Sequence, residues 1–161
     1  TLTLGNAERT SVGVVLRSSL DLFRSHKEIA FKQSISLTDD AEVYIDPTNL
    51  QRVFNNLFTN AVQALHATPE PQICVTAAVE NNWVRIHVAD NGPGIDPAVR
   101  DKIFNVNFTT KSTGLGLGLA ITANIVRSAG GSISFESVAG QGTTFTVALP
   151  LMLKLSSPVG A

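Results

Sequence analysis

Trp83-Val84-Arg85-Ile86-His87-Val88-Ala89-Asp90-Asn91-Gly92-Pro93-Gly94-Ile95 is the stretch on which the fold turns. Val84, Ile86 and Val88 alternate with Arg85 and His87, the period of a strand with one face in a core. Extending that alternation puts Asp90 on the inward side, where a carboxylate is costly unless a donor meets it. The glycines that follow permit tight turns and close backbone approach to a ligand. A plain Asx-type turn accounts for the segment in isolation. An adenine amino group, as donor to the carboxylate, accounts for both the inward aspartate and the glycines beside it.

Working outward, Ile73, Val75, Ala77 and Val79 form a second alternating run, and Asn81-Asn82 between the two runs predicts a hairpin turn. Further upstream, Phe31, Ile35 and Leu37 predict one strand and Val43-Tyr44-Ile45 a short second one. Asp46-Pro47 then offers a cap and an opening residue for a helix reaching about His66. Val12, Val15, Leu16, Leu20 and Phe23 recur at helical spacing to about Arg24, behind a polar, unpatterned stretch at residues 1–10 that reads as a linker. Downstream of Ile95 come a short helical stretch near Pro97–Ile103, a Thr/Ser/Gly-rich segment, and a helix from about Leu117 to Ser128 stopped by Gly130-Gly131. Strands near 132–137 and 143–149 close the pattern, with a frayed tail after it. Mixed strands and helices of this kind imply a two-layer α/β sandwich.

The chain has 161 residues, 43% of them hydrophobic, which fits one domain with a real core. A formal net charge of -1 leaves no basic surplus for a nucleic acid backbone or an anionic membrane. No apolar run approaches the roughly 18 residues of a membrane span, and Thr1-Leu2-Thr3-Leu4 lacks the regions of a signal peptide. Cys74, the only cysteine, allows no internal disulfide and fits a reducing compartment. A cytoplasmic domain without nucleic-acid or membrane contact, and monomeric in isolation, is expected.

On the helix after Asp46, Leu50, Phe54, Leu57, Ala61 and Leu65 form an apolar stripe, opposite Asn49, Arg52, Asn56, Asn60 and Gln63. An ordinary solvated face explains such a stripe. Neutral amides also suit a site for a metal-bound triphosphate, because their carbonyl oxygens ligate Mg²⁺ without adding negative charge. The parity of Phe145, Val147 and Leu149 points Thr143 inward, toward Asp90, and Thr144 outward. Phe104 to Gly118 opens a helix whose free N–H groups can face phosphate, with Lys111 as the cation available there. Gly114, Gly116 and Gly118 have the wrong spacing for a dinucleotide fingerprint, and no Walker A sequence occurs.

The order of Asn56–Ala61, Asp90–Ile95, Ile103–Lys111, Gly114–Ile121 and Gly140–Phe145 resembles the catalytic domain of sensor histidine kinases. These belong to the superfamily of DNA gyrase, the ninety-kilodalton heat-shock chaperone and the mismatch-repair ATPases. Thr109-Thr110-Lys111 and the short glycine segment are similar to kinases of the nitrogen-regulation type. The resemblance implies a Bergerat fold: a mixed, mostly antiparallel sheet of about five strands on three helices. It implies ATP and Mg²⁺ as ligands. Asn60 would ligate the metal, and Asn56 would act near the phosphates and the metal's water. Asp90 would bind the adenine amino group in a pocket shaped by Gly92 and Gly94, with Ile95, Phe104 and Thr143 around it. Gly114, Leu115, Gly116, Leu117, Gly118 and Leu119 would form the lid and its hinge. The family commonly has Glu-Pro-Phe where this chain has Asn105-Val106-Asn107, and often Lys or Arg where it has Gln63; the missing cation there makes Lys111 the stronger candidate for the catalytic, phosphate-neutralising cation.

In such kinases the phosphoacceptor histidine sits on a separate helical dimerisation domain and passes phosphate to a response regulator. His26, in Ser25-His26-Lys27-Glu28, mimics the acceptor pattern but falls just after the first helix of the ATP domain. The expectation is therefore a linker at 1–10, a catalytic domain at 11–151 and a tail at 152–161, with the acceptor on sequence outside this chain. A serine kinase of the anti-sigma-factor type and a nucleotide-binding pseudokinase share the same site pattern. A gyrase-like clamp would need dimerisation and transducer segments that do not fit this length.

Overall fold

The computed structural model describes residues 6–105 and 115–153, and in the first turn of the helix that opens at Leu115 it describes the backbone only up to Leu117. The elements in order are β1 (Glu8–Ser11), α1 (Val12–Phe23), β2 (Ala30–Ser36), β3 (Glu42–Ile45), α2 (Pro47–Ala64), β4 (Gln72–Glu80), β5 (Trp83–Asp90), a 3₁₀ turn (Pro97–Lys102), α3 (Leu115–Ser128), β6 (Ser132–Val138) and β7 (Gly142–Pro150).

A five-stranded sheet runs β2-β4-β5-β7-β6, and β1 pairs with β3 in a separate ribbon. β2 is parallel to β4, and the remaining neighbours in the large sheet are antiparallel. Asn81 and Asn82 join β4 to β5 with φ of 51° and 66°. That is the pair of left-handed residues a two-residue hairpin needs, and asparagine accepts the conformation with little cost. Ile73, Val75, Val84, Ile86, Val147 and Leu149 are fully buried on one face, against the helices. On the other face His87 Nδ1 and Thr146 Oγ1 lie 2.8 Å apart across β5 and β7, so the outward parity read for His87 holds. The two-layer mixed sandwich expected from the pattern is present.

Each helix carries its own start or stop signal. The Ser11 side chain accepts from Val14 N–H to cap α1, which buries Val12, Leu16 and Leu20. Asp46 caps α2 through Thr48 N–H at 2.8 Å, with Pro47 opening the first turn. α2 then buries Leu50, Val53, Phe54, Leu57 and Phe58, each worth about 1.5–3 kcal/mol on removal from water. α3 ends in a Schellman arrangement: Gly130 has φ of 81°, Gly131 N–H donates to Val126 O and Gly130 N–H to Arg127 O.

Residues 8–10 depart from expectation. Glu8–Ser11, placed mostly in a linker, forms β1 and pairs with β3 from Glu8↔Ile45 to Ser11↔Glu42. The strand turns a single buried side chain inward, Thr10, whose hydroxyl bonds the Ile45 carbonyl at 2.8 Å. A strand held by a threonine leaves no apolar alternation to read. The last described residues reach the same ribbon, where Met152 N–H donates to Glu42 O and the Arg9 guanidinium donates to Leu153 O at 3.2 Å. Among the described residues no helix is long and apolar enough to cross a membrane.

Candidate functional site

Asp90 ends β5 on the buried face and is 9% exposed. Burial raises its pKa above the ordinary aspartate value, and hydrogen bonds from the backbone amides of Gly92 and Thr143 offset part of the rise. The Gly92 N–H to Oδ1 distance is 2.9 Å. Thr143 is its register partner on β7 and is buried beside it, as the parity of β7 predicts.

The glycines around Asp90 are required by contact. Gly94 has φ of 82°, and a Cβ there would meet Val138 O at 2.7 Å. The loop is tied to the β6–β7 turn by Gly140 N–H donating to Pro93 O at 2.8 Å. A Cβ at Gly92 would press on Ala64 O and Asp90 Oδ1 at 3.0 Å each, so the loop also rests on the end of α2.

Ser137 joins these parts and was not singled out in the sequence. Its Oγ accepts from Ile95 N–H at 2.7 Å, lies 3.0 Å from Thr143 Oγ1, and is 3.2 Å from Gly142 O. It thus links the loop after Asp90 to the threonine beside Asp90. The parity of Ile133 and Phe135 puts Ser137 on the inward face of β6, and that signal could have found it. Asn91 was also missed as a tie. Its Oδ1 accepts from Gln72 N–H at 2.7 Å and its Nδ2 donates to Glu70 O at 3.0 Å, fixing the start of β4 to the glycine loop.

Ile95 is half-buried and packs against the core. Phe104 stands edge-on to Phe135 and Phe145, with ring centroids 5.9 and 6.3 Å away, so it belongs to an aromatic cluster on the core and is not a free ring.

On α2, Asn56 and Asn60 lie one turn apart and are half-buried. Asn56 Nδ2 donates to Gly118 O and Thr122 Oγ1, both at 3.2 Å, joining α2 to α3. Asn60 makes no side-chain hydrogen bond to another described residue. Gln63 Oε1 is the one buried side-chain polar atom without a partner among the described residues. Leu119 is 8% exposed and belongs to the core. Lys111 and Gly114 lie outside the described residues, as do the side chains of Leu115 and Leu117. Gly116 sits in the first turn of α3, which opens at Leu115, slightly ahead of the expected start. His26 stacks on Phe23 and faces Glu28 just past the end of α1, and His66 is exposed beyond the end of α2.

The arrangement offers a buried carboxylate with hydroxyls beside it at one point, and carboxamides along the adjoining helix leading from it. Among the described residues no group of three or more His, Cys, Asp or Glu side chains could hold a metal. That donor set fits a cation carried mainly by phosphate oxygens and water, as Mg²⁺ is, and not a cage of protein ligands.

Comparison with known proteins identifies the family and the fold. Residues 45–153 match the family described as histidine kinase-, DNA gyrase B-, and HSP90-like ATPase. The sensor histidine kinase ZraS of Escherichia coli K12 is 43% identical over 121 residues, covering 74% of this chain and 25% of that protein. The chain therefore spans about a quarter of the length of that relative. Among solved structures, the catalytic domain of histidine kinase ThkA superposes with a TM-score of 0.77 at 31% identity, covering 90% of this chain and 95% of that one. Full-length ShkA in complex with AMPPNP superposes with a TM-score of 0.74 at 26% identity, covering 94% of this chain and 32% of that one.

Proposed function

The chain belongs to the histidine kinase-, DNA gyrase B-, and HSP90-like ATPase family and, within it, to the ATP-binding catalytic domains of histidine kinases; we propose that it delivers the γ-phosphate of ATP to a histidine on a dimerisation domain outside this sequence. The observation that carries the proposal is the buried Asp90 at the end of β5, framed by Gly92, Gly94 and Thr143.

Asp90 would accept a hydrogen bond from the adenine amino group, with Thr143 and Ser137 holding the far side of the base and Ile95 beneath it. Recognition by a carboxylate selects a base with an exocyclic donor over one with a carbonyl at that position. Asn60 would hold Mg²⁺, with Asn56 close to the phosphates. Bound there, Mg²⁺ would neutralise phosphate charge and orient the γ-phosphoryl group. The bond from the γ-phosphorus to the β–γ bridging oxygen would break as a nitrogen–phosphorus bond to the acceptor histidine forms, and ADP would leave. This chain's part is positioning, which is where most of the rate in phosphoryl transfer resides.

The linker to such a dimerisation domain would lie ahead of β1, and a response regulator would take the phosphate onward. The domain itself would work in the cytoplasm as a monomeric unit, without nucleic-acid or membrane contact, while the intact kinase could be anchored elsewhere. The serine-kinase and pseudokinase readings gain no support from the relatives, which are named histidine kinases.

The test is calorimetric titration with a non-hydrolysable ATP analogue, with and without Mg²⁺, on the parent, Asp90→Asn and Asn60→Ala. Binding that is abolished by the first substitution and loses its Mg²⁺ dependence in the second is expected. No binding by the parent would overturn the proposal.

A further inference from the structure

Thr122 lies one turn into α3 from Gly118 and is completely buried. Its hydroxyl donates to Gly118 O at 2.8 Å, a back-bond of the kind threonine makes within helices. With its one hydrogen spent there, the oxygen can only accept, and it accepts from Asn56 Nδ2. Gly118 O accepts from the same Nδ2. Both groups that meet the Asn56 carboxamide are thus acceptors, so the network itself decides which end of the amide faces α3. The NH₂ end is held inward, and Oδ1 is left without a bond to another described residue.

We infer that Thr122 is a positioning residue for the metal-bound nucleotide. Through a two-point hold on Nδ2 it presents the carbonyl oxygen of Asn56 to Mg²⁺ or to a water on it, and bars the amide hydrogens from that position. A carbonyl so directed favours a cation, whereas an NH₂ group would favour bare phosphate oxygens. The inference rests on the nucleotide reading above and adds to it a residue on α3 that touches neither base nor phosphate. The same contact ties α2 to the hinge at Gly118, so any movement of the first turn of α3 alters the hold on Asn56.

The experiment compares Thr122→Val, which keeps the shape and removes the hydroxyl, with Thr122→Ser, which keeps it. The full chain is titrated with a non-hydrolysable ATP analogue at fixed, subsaturating concentration across a Mg²⁺ series, and the Asn56 side-chain amide resonances are followed by NMR. Thr122→Val should raise the Mg²⁺ concentration for half-maximal enhancement by about 10-fold, the lower end of what supporting groups around a metal contribute. Its affinity for the analogue without Mg²⁺ should stay within about 2-fold, and the Asn56 amide protons should exchange faster. Thr122→Ser should match the parent in all three. Should the valine variant fail to fold, Thr122→Ala carries the same comparison. A parent that binds analogue with a normal Mg²⁺ response shared unchanged by the hydroxyl-free variant overturns this inference alone; a parent that binds no analogue overturns the nucleotide reading and this with it.

Discussion

A Cβ on Gly142 would lie 1.9 Å from the carbonyl oxygen of Asp90. The start of β7 and the end of β5 are therefore in backbone contact at the point where the aspartate turns inward, and only a residue without a side chain lets them meet. Gly142 also has φ of 126°, outside what an L side chain adopts.

Gly142→Ala should consequently destabilise the domain by about 3 kcal/mol or more, read as a fall in the urea midpoint. Gly140→Ala is the matched control. It has φ of 77° but nothing within 4 Å of a Cβ, so only the conformational cost of about 1–2 kcal/mol applies. Equal losses for the two would show that β7 can move away from Asp90 at no cost.

The raised pKa of Asp90 makes stability depend on pH in a stated direction. The folded state holds the proton more tightly than the unfolded chain. The contribution of Asp90 is therefore most favourable below its ordinary value of 3.8 and is lost as pH rises through the raised value. Asp90→Asn removes that dependence. Denaturant unfolding of both proteins across this range should show the asparagine variant gaining on the parent as pH rises, then holding a constant lead. A lead that shrinks with pH would mean the carboxylate is stabilised in the fold, contrary to its burial.

Gln63→Met should raise the thermal midpoint. The buried Gln63 Oε1 has no partner among the described residues, and relieving an unpaired buried acceptor is worth about 1 kcal/mol or more when the replacement has a similar shape. A lower midpoint would show that the carbonyl is satisfied in solution.

Much of this site could be read from the chain because its signals are local. Two-residue alternation fixed the inward side of β5 and β7, so Asp90 and Thr143 fell together before any pairing was known. The cap at Asp46 and the amide spacing on α2 were likewise legible within a few residues. What escaped depends on partners distant in sequence. Thr10 holds β1 through Ile45, and Asn91 ties the glycine loop to the start of β4. Thr122 matters because of Asn56, a helix away. Small polar side chains carry no periodicity of their own, and their importance appears only when the fold supplies the other half of the hydrogen bond. Lys111 and Gly114 lie outside the described residues.

The ribbon of β1 and β3 has a mechanical consequence. Leu151, Met152 and Leu153 bond to Asn82, Glu42 and Arg9, so both ends of the described chain meet at the Trp83 end of β5, where Trp83 pairs with Pro150. Asp90 stands at the opposite end of that strand, about 23 Å away at ~3.3 Å per residue. Under the function proposed above, attachment to a dimerisation domain at that pole would make the domain a lever: a tilt of about 10° there would sweep the Asp90 pole through an arc of roughly 4 Å over that length. A displacement of that size would separate a phosphate within reach of the proposed acceptor from one that is not. A signal arriving through the attachment could thus switch transfer on or off by leaning the rigid body, leaving every contact around Asp90 as it is.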